Sequence, residues 1–273
     1  MKFILSGLLM ASALVASPAA MAVSTFNLGD DYDPGACTQS ATNANNYGNT
    51  YVCSAQGSYA DELDVKAFSA ATGAKFAAAN VGDWGSFGVR NTGEGLDASS
   101  PQHSMDNDGG QDLLLMKFDT SIALNSFQLG WYSGDSDVTV LAYTGSDDNA
   151  IANLTNATED NLLTKGWSLV GNFADIGTNS VSFNTGSGAI SSSYWIVSAF
   201  SRFGAATPTW SDANDYVKLK MVAGNFTCTN SNDPSCQPPG GGSGQVPEPA
   251  SFALAAVALA GVFGSRRRIA RRR

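Results

Sequence analysis

The chain has 273 residues and a formal net charge of −9, with 14% charged and 43% hydrophobic residues. This length and apolar content exclude a wholly disordered chain, and so low a charged fraction excludes a coiled coil. The negative charge argues against nucleic acid as a partner, and a single histidine excludes most sites that depend on imidazole.

The first 22 residues have the pattern of a secretory signal peptide. Lys2 precedes an apolar run over residues 3–15, and a small-x-small site follows at Ala20 and Ala22. The run is short for a membrane span, which favours cleavage over a retained signal anchor. We therefore predict export through the Sec machinery and cleavage by signal peptidase after Ala22.

Residues 23–226 are predicted to form one exported β domain. Apolar residues alternate at period two, as at residues 127–131, and turns rich in Gly, Asn, Asp or Ser separate short apolar runs. The tight link at residues 133–135 predicts a hairpin, and only residues 158–165 look helical, with Thr158 as the N-cap. So many short strands indicate an all-β fold, an antiparallel two-sheet sandwich of the jelly-roll type.

Four cysteines lie near the two ends of this domain. In an exported chain an even number of cysteines indicates disulfides, and three pairings are possible. Local pairs are favoured because each lies in a stretch rich in Gly, Asn, Asp or Ser. A zinc site is disfavoured because no C-x-x-C spacing exists and His103 stands alone. The predicted pairs are Cys37 with Cys53 and Cys228 with Cys236.

The exported part is more acidic than the whole chain. Lys2 and six C-terminal arginines are seven of the 15 bases, and Glu248 is one of the 24 acids, which leaves residues 23–245 with a net charge of −15. Such a surface repels acidic polysaccharide unless divalent cations bridge the two.

A short acidic cluster is a candidate calcium site. Asp106, Asp108 and Asp112 lie in a Gly-rich turn before an apolar run, and Asp135 and Asp137 can contribute from another loop. The EF-hand pattern is incomplete, because a glycine stands where a ligand is expected and no glutamate closes the loop. The alternative is a solvated turn in which Asp side chains accept hydrogen bonds from nearby backbone amides.

The sequence predicts no catalytic residue. His103 can be imagined as a base for Ser104, but the G-x-S-x-G motif of a nucleophilic serine is absent. A glycoside hydrolase needs two carboxylates across a cleft, and nothing in the sequence selects such a pair. We therefore predict that the protein is not an enzyme.

Two tryptophans are candidates for an exposed glycan-binding platform. Trp84 and Trp210 lie in stretches rich in Gly, Asp, Ser or Thr, where a ring is more exposed than on a strand. The alternative is that they fill the core, which is the more common role of a strand aromatic.

The C-terminal segment 246–273 follows a linker rich in Cys, Pro, Gly and Ser over residues 227–245. It combines a V-P-E-P element, an uncharged run over residues 250–265 and an arginine cluster. This order resembles the PEP-CTERM sorting signal of exosortase substrates in Gram-negative bacteria that make extracellular polysaccharide. The sorting motif is Val246, Pro247, Glu248 and Pro249, and the cytoplasmic anchor is Arg266, Arg267, Arg268, Arg271, Arg272 and Arg273.

The resemblance implies a location and a processing partner. The chain would cross the inner membrane, stay attached by a short C-terminal helix with its arginines in the cytoplasm, and be cut near the motif by exosortase. The domain would then reach the cell surface or the extracellular matrix. The same tail occurs on unrelated exported domains, so it specifies an address rather than an activity.

The middle of the chain is also similar to a family of exosortase-dependent surface proteins, within residues 106–118, 129–145 and 215–224. That family has no established activity, so the similarity implies a surface location and a β fold. We predict a structural or adhesive protein of an exopolysaccharide or biofilm, with extracellular polysaccharide as a partner and calcium as the candidate cofactor. The alternatives are a carbohydrate-binding module, a secreted glycan-active hydrolase and, more remotely, an ice-binding protein.

Overall fold

The computed structural model describes residues 22–29, 36–40, 47–56, 61–94, 101, 103–146, 149–206, 208–210 and 214–226. The predicted signal peptide up to residue 21, the linker from residue 227, the sorting signal and the Cys228–Cys236 pair lie outside the described residues. No helix within these ranges is long and apolar enough to span a membrane.

Strands dominate the described chain, and all pairings between its named strands are antiparallel. The prediction of an all-β antiparallel fold is confirmed. The strands are β1 (Ala22–Asn27), β2 (Cys37–Ser40), β3 (Thr50–Ser54), β4 (Glu62–Ala71), β5 (Ala77–Ala78), β6 (Asn80–Asp83), β7 (Phe87–Arg90), β8 (Met105–Asp106), β9 (Gly110–Gly134), β10 (Val138–Tyr143), β11 (Trp167–Phe173), β12 (Ser180–Ser182), β13 (Ser192–Ala199) and β14 (Asp215–Phe226). The helices are α1 (Ala150–Thr155) and a 3-10 helix (Glu159–Lys165).

Strand β9 has 25 residues and joins the other strands of the sheet through its two successive parts. Its first part, residues 110–118, pairs with β4 on one side, and residues 113–117 pair with β13 on the other. Its second part, residues 122–134, pairs with β14, and β14 also pairs with β1. The strands therefore form one hydrogen-bonded network, and the stacking of two separate sheets stays a prediction.

The first part of β9 is buried on both faces. Leu114 and Met116 belong to the larger core cluster, which also includes residues of β4, β10, β13 and β14. Leu113 and Leu115 belong to a second cluster, to which α1 and the 3-10 helix contribute Leu154 and other apolar side chains. A strand covered on both faces carries an unbroken apolar run, which explains why this segment does not alternate.

The link at residues 133–135 does not form the predicted hairpin. β9 ends at Gly134, but β10 pairs with β11 and β13. The backbone N–H of Asp135 instead donates to the carbonyl oxygen of Asn214, just before β14. The prediction is wrong because a tight turn indicates that the chain reverses, and does not specify which strand the next one joins.

The predicted helical segment forms the 3-10 helix. Thr158 is its N-cap, and the Thr158 N–H donates to Oδ1 of Asn161 at 3.0 Å. Gly166 ends it with a φ of 87°, a left-handed conformation that glycine adopts readily. The sequence did not predict α1, whose first turn lacks acidic residues and whose last turn lacks basic ones.

The disulfide between Cys37 and Cys53 confirms the first predicted pair. The two residues face each other across β2 and β3, and their Cα atoms are 4.0 Å apart. Cys53 is fully buried in the larger core cluster, so the bridge attaches β2 to the core.

We expect the double substitution Cys37→Ser with Cys53→Ser to lower the free energy of unfolding by about 3 kcal/mol. The bridge joins residues 16 apart in sequence, and its loss frees that loop in the unfolded chain. Urea denaturation followed by circular dichroism measures the difference. Thr38→Ser, at an exposed position in the same strand, is the control and should change the value by less than about 0.5 kcal/mol. Equal urea midpoints for the double variant and the unaltered protein would contradict a stabilising bridge.

Candidate functional site

A cavity of about 780 Å³ brings the three predicted calcium ligands together. Alanines of β4, β5 and the connection between them form part of its wall, and the segments after β7 and around β8 form the rest. Its acidic lining residues are Glu94, Asp106, Asp108 and Asp112, and Lys75 is the basic residue among its described lining. We call this feature the acidic cavity.

Strand geometry places Asp112 in the wall of the acidic cavity. Asp112 lies on the same face of β9 as Leu114, so it continues the row of core residues beyond the end of the apolar cluster. It pairs with Ser69 of β4. The two strands approach closely here, because a Cβ atom at Gly110 would lie 2.5 Å from the carbonyl oxygen of Ala70. Only glycine permits that approach.

Asp112 differs from the other acids of the described lining in its burial and its hydrogen bonding. The residue is 1% exposed, and its Oδ2 atom has no hydrogen-bond partner among the described atoms. Burial, and then the charges of Asp106 and Glu94, raise the pKa of its carboxyl group well above the usual range, while hydrogen bonds from Ser69 and Asn91 lower it. A buried carboxylate oxygen without a donor is costly to keep.

Asp106 and Asp108 contribute a second acidic wall from β8 and the turn after it. Burial raises the pKa of Asp106 to about 7, and the charges of Glu94 and Asp108 add to this effect. The backbone N–H of Asp108 donates to Asp106 Oδ1 at 3.2 Å. The exposed Asp108 accepts a hydrogen bond from the Tyr216 hydroxyl at 2.9 Å, and burial, followed by this bond, raises the pKa of Tyr216 to about 12.

Sequence reasoning missed Glu94, which adds a fourth acid to the described lining. A turn after β7 positions it: the Asn91 N–H donates to Glu94 Oε2 at 3.0 Å, and the Gly93 N–H donates to Asn91 Oδ1 at 2.9 Å. The Glu94 backbone N–H donates to the Asn91 carbonyl oxygen. No signal in the sequence joins this turn to residues 106–112, because β8 and β9 reach it only through the fold.

Asp135 and Asp137 do not line the acidic cavity but lie with Asp215 at the start of β14. Among the described residues, these three form the group of acidic side chains whose ligand atoms all lie within 4.8 Å of one another. The Asp215 carboxylate accepts from the Asp137 N–H at 2.9 Å and from Asn107 Nδ2 at 2.7 Å. Asp137 Oδ1 accepts from the Asp175 N–H at 2.7 Å.

This second group fits the alternative of acidic side chains that order their own turns. Burial raises the pKa of Asp215 to about 6, against hydrogen bonds from Asp137 and Asn107 that lower it. Because these oxygens already accept hydrogen bonds from nearby amides, the group explains how β14 is attached to the link after β9 without a metal. Calcium at either acidic group stays a prediction.

His103 and Ser104 are engaged separately. The His103 ring is stacked on Trp84, with 4.9 Å between ring centroids and 14° between ring planes. The Ser104 hydroxyl donates to the carbonyl oxygen of Pro101. Neither contact has the geometry of a base that activates a serine nucleophile.

The two candidate platform tryptophans lie in different surroundings. Trp84, in the turn between β6 and β7, is 43% exposed, and Lys218 Nζ lies 4.8 Å from the centre of its ring. The same Nζ lies 4.9 Å from the centre of the Trp131 ring. Trp210 is half-buried and packs on Phe200, with 5.0 Å between centroids. Trp84 therefore shares a cation–π contact to Lys218 with Trp131, whereas Trp210 packs against Phe200. The two predicted platform residues have different neighbours.

Comparison with known proteins bears on the C-terminus. The PEP-CTERM protein-sorting motif matches residues 245–268. The chain therefore carries a PEP-CTERM protein-sorting motif at its C-terminal end. Such a motif is typical of extracellular proteins that exosortase processes, and it implies export with transient membrane anchoring before processing. No curated protein and no solved structure matches the chain, so the similarity of its middle part to a surface-protein family stays a prediction.

Proposed function

We propose that the processed protein is a structural or adhesive component of the cell surface or extracellular matrix, where it associates with exopolysaccharide in a biofilm. The PEP-CTERM signal at residues 245–268 is the observation that carries this proposal. The strand-rich domain and its disulfide suit an oxidising, exposed location. The strands stack as two layers that share β9, and the domain has no catalytic role.

Processing follows from the two ends of the chain. Signal peptidase cleaves after Ala22, and the uncharged run over residues 250–265 then holds the chain in the inner membrane. Exosortase cleaves near Pro247, Glu248 and Pro249, and the domain leaves the membrane.

Intact mass of the protein purified from its own cells tests this course. We expect the unaltered chain to begin at Val23 and to end near residues 247–249. The triple variant Pro247→Ala, Glu248→Ala, Pro249→Ala should retain the C-terminus and sediment with membranes. Pro238→Ala with Pro239→Ala, in the adjacent linker, should be processed normally. An unaltered chain that ends at Arg273 would overturn exosortase processing.

The matrix role has its own test. The processed protein, added back to cells that lack it, should sediment with cells that make exopolysaccharide and stay in the supernatant with cells that do not. Equal recovery in the supernatant from both kinds of cell would overturn the proposed role, whatever the processing result.

A glycan-binding module is the second candidate, and the acidic cavity favours it. Concave sites of this size, with convergent polar groups in a partly apolar wall, are where proteins usually bind small ligands. In this case the domain would hold the polysaccharide by a defined subsite rather than by its general surface.

A further inference from the structure

We propose that the acidic cavity binds a sugar unit that carries a free amino group. The proposal rests on the proposed function, because it assigns the chemistry of the polysaccharide that the domain would hold. This ligand is an alternative to the acidic polysaccharide, bridged by calcium, that the sequence suggested.

Charge is the first argument. The described lining of the acidic cavity holds four carboxyl groups and a single base, Lys75. Residues 23–245 carry a net charge of −15, which has the same sign as the charge of the cavity lining. Such a site concentrates cationic ligands and repels uronic acids or sulfated sugars. A polysaccharide with free amines is complementary to it.

The missing donor at Asp112 is the second argument. Asp112 lines the cavity and is only 1% exposed. Its Oδ2 atom has no hydrogen-bond partner among the described atoms. An ammonium group carries three N–H donors and a positive charge. It therefore supplies Asp112 with both the donor and the countercharge that a buried carboxylate requires. A neutral hydroxyl supplies only the donor.

Size and spacing favour an organic cation over a bare ion. The volume of about 780 Å³ lies within the range of about 300–1,000 Å³ for small-molecule sites. The only described acidic group with all ligand atoms within 4.8 Å consists of Asp135, Asp137 and Asp215, which lie outside this cavity. Calcium needs six to eight oxygens at about 2.3–2.6 Å, a tighter cluster than the cavity acids form. The alanine part of the wall leaves room for a sugar ring beside the carboxylates.

Calorimetric titration with three probes tests the proposal on the protein purified from its own cells. The probes are a glucosamine trimer, an N-acetylglucosamine trimer of the same length, and calcium chloride. We expect the glucosamine trimer to bind at least about tenfold more tightly than the acetylated trimer, because a charge-assisted hydrogen bond to a buried carboxylate is about twice as strong as a neutral one.

Variants locate the binding to the cavity. Asp112→Asn and Glu94→Gln each retain the side-chain shape and should weaken the glucosamine trimer about tenfold or more. Asp160→Asn removes an exposed acid that does not line the cavity, and should leave the affinity unchanged. Thermal unfolding of each variant shows whether it is folded, and we expect Asp112→Asn to be no less stable than the unaltered protein near pH 8.

Several outcomes would overturn the proposal. These are equal affinity for the two trimers, no binding of the glucosamine trimer, binding that survives in folded Asp112→Asn, binding of calcium alone, and cleavage of either trimer, which would indicate a hydrolase. Failure of the proposed function would appear elsewhere, in the processing of the C-terminus and the sedimentation with cells.

Discussion

The free energy of unfolding should fall by several kcal/mol between about pH 4 and about pH 7. Burial raises the pKa of Asp106 to about 7 and those of Asp61 and Asp215 to about 6. In the unfolded chain an aspartate titrates near a pKa of about 3.9. Between these values the folded protein binds more protons than the unfolded chain, so stability falls as the pH rises. The stabilisation is complete below about pH 4 and is lost through about pH 6 to 7.

Urea denaturation at a series of pH values measures this dependence. Asp106→Asn should flatten the profile, because the amide cannot ionise while its oxygen still accepts the hydrogen bond from the Asp108 N–H. Near pH 8 the variant should be more stable than the unaltered protein by up to about 4 kcal/mol, at about 1.4 kcal/mol per pKa unit. Near pH 4 the two should agree. A stability that rises across this window would contradict the burial of ionisable carboxyl groups.

Phe127→Ala should lower the free energy of unfolding by about 3–5 kcal/mol. Phe127 is fully buried in the larger core cluster, and its ring contacts those of Phe173 and Phe183, with centroid distances of 5.4 and 5.7 Å. Alanine would leave a cavity beside the two remaining rings and remove both ring contacts.

Tyr132→Ala is the matched control, since it removes another aromatic ring from the same strand. Tyr132 is 44% exposed, so its loss should change the free energy of unfolding by less than about 0.5 kcal/mol. Chemical denaturation of both variants gives the comparison. Similar losses in the two would show that this part of β9 does not have one buried and one exposed face.

Short-range patterns predicted what short-range physics decides. Period-two alternation identified the antiparallel β fold, and the turn-rich sequence around Cys37 and Cys53 identified their bridge. The N-cap at Thr158 predicted the short helix that follows it, because capping depends on residues three apart in sequence. The partner of β10 could not be predicted, because pairing depends on which strands the whole chain brings together.

The acidic cavity was predictable only in part, for the same reason. Asp106, Asp108 and Asp112 are close in sequence, and the structure places them in one lining. Glu94 reaches them from a separate turn, and Asp215 joins Asp137 across the fold. No local sequence pattern predicts either of these contacts. The alanines that line the cavity could not be recognised from the sequence either, because a small apolar side chain does not indicate a binding site.

The antiparallel pairing of β1 with β14 has a mechanical consequence. Ala22 lies opposite Phe226, so the described chain starts and ends side by side. Tension transmitted from the C-terminal side enters at Phe226 and runs along β14, which is flanked by β1 and by the second part of β9. Hydrogen bonds between antiparallel strands run perpendicular to the strands, so this pull shears the whole ladder at once instead of opening it one bond at a time. A pull on the C-terminal side of the described chain is therefore opposed by the full length of the two ladders that β14 forms, rather than by one terminal hydrogen bond.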